Sequence, residues 1–227
     1  MRLKALLRGD IRFQYKYGFY FIYLLFSVLY IGLLYAFPEK WRGKAAILMI
    51  FSDPAAMGLF FMGAIVLFEK SERVLNSIAV SPVKPLEYVL SKLVSIGLIS
   101  TAVGLAIGIS AGIVTEPVLF TIGVFLCSCL FSSMGLIIAC KISTLNQFVL
   151  ATIPAELLIN IPAIFWLFGC KNSWLVLHPG VCMMMLCTGE GSPITALLFL
   201  LFWTMLLILF AGGTVEKMLK SVGGVTL

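Results

Sequence analysis

Six runs of about twenty apolar residues, separated by short polar joints, limit what this chain can fold into. They span Phe19 to Phe37, about Ala45 to Phe68, about Leu93 to Val114, about Val118 to Cys140, about Gln147 to Phe168 and about Pro193 to Gly212. A helix of about 20 apolar residues crosses a hydrocarbon layer some 30 Å thick. It also satisfies its own backbone hydrogen bonds where no water can. The runs therefore predict an all-α, polytopic membrane protein of six transmembrane helices forming one domain over residues 1–227. Only 11% of residues are charged, against about 25% in ordinary soluble domains. No water-soluble packing fits that composition, and the joints leave no room for a separate soluble catalytic domain.

The first sixteen residues carry Arg2, Lys4, Arg8, Arg12 and Lys16 with no small-residue cleavage site, so the first apolar run reads as an anchor and not as a removable signal. Lys4, Arg8, Arg12 and Lys16 recur every four residues beside a stripe of Leu3, Leu6, Leu7 and Ile11. That spacing predicts an amphipathic helix over residues 1–17 lying at the membrane interface. A charged tail that only sets orientation is the plainer alternative. With the N-terminus inside, twelve Lys and Arg fall in inner joints and four in outer ones. This places both termini in the cytoplasm and the long joint Glu69 to Lys92 beside them. The net charge of +6 sits at membrane-flanking positions, so nucleic acid is not an expected partner.

Residues 169–192 mix polar and apolar stretches too short to cross, and His178-Pro179-Gly180 divides them. They predict a re-entrant or interfacial hairpin. Cys170, Cys182 and Cys187 fall there, and spacing alone leaves open whether two of them pair. Met183 to Met185 suit soft apolar packing. His178, the only histidine, reads as a turn residue. With no second histidine, no GxSxG and no paired-acid motif, neither catalytic residues nor a metal site is expected.

Two kinds of segment are candidates for function. In the joint Glu69 to Lys92, helical spacing places Glu69, Glu72, Arg73 and Asn76 on one face, suited to the groove of a soluble partner. Beyond Pro82 and Pro85, Leu86, Val89, Leu90 and Leu93 form a stripe that runs into the third span. A solvated connector is the competing interpretation. Asp53 and Glu156 lie at membrane depth, where an acid costs about 2.5–3.5 kcal/mol on insertion scales. With Asn160, one turn beyond Glu156, they read either as the lining of a translocation path or as a hydrogen-bonded clamp between helices.

The charged Glu-Arg cluster, the apolar turn, Ser81-Pro82, then Glu87-Tyr88 and Lys92 opening a span resemble the segment between the second and third spans of ABC-2 type transporter permeases. The basic N-terminal helix, six spans and Leu177-His178-Pro179 extend the likeness over nearly the whole chain. Within that family the chain looks nearest to permeases of the fluoroquinolone export type. The resemblance implies the membrane subunit of a bacterial ABC exporter in the cytoplasmic membrane, paired with a second permease copy or a paralogue. A cytoplasmic ABC ATPase would dock on Glu69, Glu72, Arg73 and Asn76 as a coupling helix. The chain contains no Walker A sequence, so ATP and Mg would belong to that partner and no cofactor is expected on this chain. A hydrophobic or amphiphilic substrate is implied, within surrounding membrane lipid. The rival reading is an ion-coupled secondary transporter or channel using Asp53 and Glu156.

Overall fold

The computed structural model describes residues 2–52 and 57–222. Its helices are α1 (Arg2–Lys16), α2 (Phe19–Ala36), α3 (Glu39–Ile50), α4 (Met57–Ser71), α5 (Val74–Ala79), α6 (Pro85–Ala111), α7 (Pro117–Lys141), α8 (Leu145–Leu167), α9 (Pro179–Thr188) and α10 (Pro193–Val222), with a 3₁₀ turn at Ser173–Leu177. Among the described residues there is no strand.

Five helices, α2, α6, α7, α8 and α10, are long and apolar enough to cross a membrane. The expected run from Ala45 to Phe68 falls on α3, with 12 residues, and α4, with 15, and residues 53–56 between them lie outside the described residues. The first begins in the polar stretch Glu39-Lys40-Trp41-Arg42, and neither reaches the length of a full crossing alone. Asp53 lies outside the described residues.

Local chemistry sets the helix ends. α6 starts eight residues before the apolar run that signals it, because Pro85 occupies its first turn and the Glu87 carboxylate accepts the Lys84 N–H at 2.9 Å. A proline and a capping acid are favoured there because the first turn has N–H groups with no helical acceptor. Gly112, at φ 68°, ends α6 in the left-handed conformation that glycine adopts without a steric penalty. α8 keeps Pro154 and Pro162 inside its helix.

Burial separates centre from rim. Over their most apolar windows α6 and α7 are 56% and 67% buried, whereas α2, α8 and α10 are each 22% buried. α7 is the hub, packed on α4, α6 and α10. Apolar helices in lipid gain little from hydrophobic burial against one another, so close approach at small residues supplies the attraction. Gly97, Gly104 and Gly108 of α6 work in this way. A Cβ at Gly97, Gly104 or Gly108 would stand 2.8, 2.9 or 2.7 Å from Phe125, Val124 or Phe120 of α7. On the other side of α7, a Cβ at Gly135 would stand 2.3 Å from the Leu59 carbonyl oxygen, and one at Gly58 2.6 Å from Ser132 Oγ.

Within residues 169–192 only α9 tucks into the bundle, while residues 169–174 and 189–192 are exposed. α9 is buried from Pro179 to Cys187, with Met183, Met184 and Met185 as packing. Trp203 Nε1 of α10 donates to the Leu177 carbonyl at 2.9 Å, and His178 Nε2 lies 3.2 Å from the Leu158 carbonyl. Burial lowers the His178 pKa from its ordinary 6.5, with the Leu158 contact opposing. All six cysteines are free thiols, so Cys170, which is exposed, pairs with neither Cys182 nor Cys187.

Candidate functional site

The sequence of the joint after α4 predicts one helical face bearing Glu69, Glu72, Arg73 and Asn76. The structure divides that face. α4 ends at Ser71, and Arg73 takes a left-handed conformation at φ 58° before the six-residue α5 begins. A non-glycine residue there interrupts the helix. Glu72, Arg73 and Asn76 remain exposed, while Leu75 turns inward. Glu69, still within α4, is buried at 5% exposure and is no part of the exposed face.

Glu69 instead belongs to a buried ion network. Lys92 Nζ of α6 donates to Glu69 Oε1 at 2.6 Å and to Asp10 Oδ1 of α1 at 2.9 Å. Tyr88 donates its hydroxyl to Glu69 Oε2 at 2.6 Å, and Ser91 donates to Asp10 Oδ2 at 2.7 Å. The Lys92 ammonium also lies 4.7 Å from the centre of the Tyr88 ring. Gln14 Nε2, one turn beyond Asp10, donates to Ser95 Oγ at 2.7 Å. Burying a charge costs several kcal/mol unless it is paired and its remaining valences are filled. All four carboxylate oxygens here have a donor, at the formal cost of two negative charges against one positive. The network fastens α1 and α4 to the start of α6.

Two further contacts complete this end of the bundle. Lys70 Nζ donates to the carbonyls of Ala139, Cys140 and Ile142 at 2.7, 3.0 and 2.8 Å, so a cation closes the C-terminus of α7 where its dipole favours one. Burial lowers the Lys70 pKa from its ordinary 10.5. The Tyr17 hydroxyl, between α1 and α2, donates to Glu72 Oε1, and that hydrogen bond raises the tyrosine pKa. Between α1 and α5 lies a cavity of about 460 Å³ lined by Leu6, Gly9, Phe13, Val74 and Ile78, with Asp10 and Glu69 in its wall.

On α1 the apolar stripe and the face packed on the bundle are not the same. Leu3 and Ile11 are exposed, and Asp10, Phe13 and Gln14 turn inward instead, because α6 offers Lys92, Ser91 and Ser95 as partners.

The acid expected along a translocation path sits on α8. Only Phe148, Thr152, Ile159, Ala163, Trp166 and Leu167 of that helix are buried. Leu150, Leu157 and Leu158 are more than half exposed. Glu156 is half-buried, and no hydrogen bond or ion pair to it forms among the described residues. The buried Asn160 Oδ1, one turn away, has no hydrogen-bond partner there either. A clamp within one protomer is therefore not what these side chains form among the described residues. Whether Asp53 joins them lies outside the described residues.

Asp10 has no place in the motifs of the sequence, and Tyr88 and Lys92 enter them only as the opening of a span. A signal was present: Asp10 is the only acid before Glu39, and Lys92 follows Val89 and Leu90 directly into an apolar span.

Comparison with known proteins bears on this architecture. A family model described as the fluoroquinolones export permease protein family matches residues 1–212. The fluoroquinolones export permease proteins of two Mycobacterium tuberculosis strains are each 26% identical to the chain over 180 residues, covering 78% of it and 76% of the relative. A bundle with five apolar helices of membrane-crossing length and a match running through α1 to α10 lead to one assignment: this multi-pass membrane protein belongs to the fluoroquinolones export permease protein family.

Proposed function

We propose that the chain is the transmembrane subunit of an ATP-driven ABC exporter, docking a separate cytoplasmic ATPase through the segment around α5. The observation that carries this reading is the placement of Glu72, Arg73 and Asn76, exposed on a short helix directly beside a buried network that ties α1, α4 and α6 together. A push on α5 passes through α4 and Glu69 to Lys92, and thus to the first turns of a long apolar helix. Rigid packed elements with discrete ion pairs transmit displacement in this way. ATP and Mg belong to the partner.

Six crossings, with both termini in the cytoplasm, fit the way the residues gather at two ends. Asp10, Glu69, Lys92 and the α7 terminus meet at one end. Lys40 and Lys44, Thr115, Phe168 and Glu190 line one cavity at the other. α3 and α4 together then make the second crossing, and α9 enters and returns on the far side. α1 lies along the inner membrane surface with Lys4, Arg8, Arg12 and Lys16 exposed.

The functional unit is a pair of permease chains, and α8 contributes to the path between them. An unpartnered acid on an otherwise apolar, outward face needs water or a second protein surface. Glu156 and Asn160 then face amphiphilic substrates, with drugs of the kind named for the relatives as the first class to test. The same unpartnered Glu156 favours the alternative of an ion-coupled carrier, which needs no ATPase.

Purified chain mixed with its candidate ATPase should stimulate ATP hydrolysis, and Glu72→Ala with Arg73→Ala should abolish the stimulation while the chain stays folded. Unchanged stimulation in that double variant would remove α5 as the docking element.

A further inference from the structure

We infer that the end of the bundle away from α1 holds a binding site for an anionic phospholipid. A cavity of about 480 Å³ there is lined by Lys40 and Lys44 of α3 and by Lys171, just after α8, together with Trp166, Phe168 and Glu190. Among the described residues of that lining Glu190 is the only acid, and it pairs with Lys171. Lys40 and Lys44 have no carboxylate partner among the described residues, so the cavity carries a surplus of two positive charges. Lys44 lies 5.9 Å from the Trp41 ring centre and 5.7 Å from that of Phe168, and Lys171 lies 5.6 Å from that of Trp166. These rings hold the ammonium groups without neutralising them.

A second cavity, of about 280 Å³, shares Lys44 and Phe168 with the first and is otherwise apolar apart from Ser52, with Phe37, Trp41, Leu48 and Met49 along it. From Lys44 to Ser52 the groove follows α3 for about 12 Å at a rise of about 1.5 Å per residue. One leaflet of hydrocarbon is about 15 Å deep, half of the usual 30 Å. Tryptophans concentrate where headgroups meet hydrocarbon, and Trp166 lines the basic cavity while Trp41 lines the apolar groove beside the shared Lys44 and Phe168. A negatively charged headgroup over Lys40 and Lys44, with one acyl chain along Leu48 and Met49, satisfies both halves. A free anion would use the first half alone. The inference does not depend on an ATPase partner.

The test is native mass spectrometry of the full-length chain, exchanged into detergent with equimolar phosphatidylglycerol and phosphatidylcholine of identical acyl chains. Each lysine near a charged lipid surface favours binding enough that two should give a preference for phosphatidylglycerol of about tenfold or more. Lys40→Gln with Lys44→Gln should bring that preference near unity, Lys44→Arg should keep it, and Leu48→Asn should weaken retention of both lipids. Equal retention of the two lipids by the unmodified protein overturns the proposal without recourse to any variant. So does a double variant that folds and keeps the preference. Full displacement by millimolar glycerol phosphate with no effect of Leu48→Asn would assign the cavity to free anions and overturn the lipid. Protomer-to-protomer crosslinking through Leu48→Cys, with no lipid adduct, would assign the groove to a second copy and overturn it as well.

Discussion

Lys92 Nζ stands 2.6 Å from Glu69 Oε1, and this ion pair joins the end of α4, just before the exposed segment around α5, to the opening turns of α6. With Asp10 on its other side, Lys92 is the cation through which α1, α4 and α6 meet.

Removing that cation leaves two carboxylates facing each other in a buried site. Lys92→Met should therefore destabilise the protein by about 3–5 kcal/mol, the usual cost of breaking a buried pair by deleting one partner. Asp10→Asn added to Lys92→Met should recover part of the loss, because one uncompensated charge disappears. Thermal unfolding in detergent, monitored by intrinsic fluorescence, measures both. A Lys92→Met protein as stable as the original would mean that the network contributes nothing to holding α1 and α4 on α6.

The contact between α4 and α7 makes a contrasting prediction about glycines. A Cβ at Gly135 would press on the Leu59 carbonyl at 2.3 Å, whereas one at Gly32 would meet nothing within 4 Å. Gly135→Ala should cost about 1–3 kcal/mol through overpacking. Gly32→Ala should be neutral or stabilise by about 0.5–1 kcal/mol, since alanine is the better helix former. The same unfolding assay ranks the two variants, and the reverse order would contradict the packing.

His178 gives the stability a pH dependence of known sign. Burial lowers its pKa below 6.5 in the folded protein, so the unfolded chain takes up a proton more readily as pH falls. The contribution is complete above pH 6.5 and declines below it. Unfolding midpoints measured from pH 7.5 to 5 should fall, and His178→Asn should flatten that part of the slope.

Much of this was readable from the sequence, and the exceptions have physical causes. Apolar runs announced α2, α6, α7, α8 and α10 because membrane helices must be apolar over a fixed length. The Gly104-x-x-x-Gly108 spacing is one that permits close helix contact, and Phe120 and Val124 fill the space it leaves. Helical periodicity misplaced Glu69, because it assumes an unbroken helix and cannot anticipate that Arg73 adopts φ 58°. It also hid the roles of Asp10 and Lys92, which are 82 positions apart and meet only through tertiary packing.

On α8, Glu156→Gln should weaken export of cationic amphiphiles more than of neutral ones, because it removes charge and keeps hydrogen bonding. Glu156→Leu should weaken both. Uptake into inverted vesicles of paired cationic and neutral substrates tests this, and normal transport by Glu156→Leu would remove α8 from the path.

The most direct test of the ATP-driven reading is quantitative mass spectrometry of the complex purified through a tag on this chain from its native membrane. The account predicts an ABC ATPase recovered at a ratio near one to one, and its loss when Glu72 and Arg73 are replaced by alanine. Recovery of the chain as a stable oligomer without any ATPase, yet active in transport driven by an ion gradient, would contradict it.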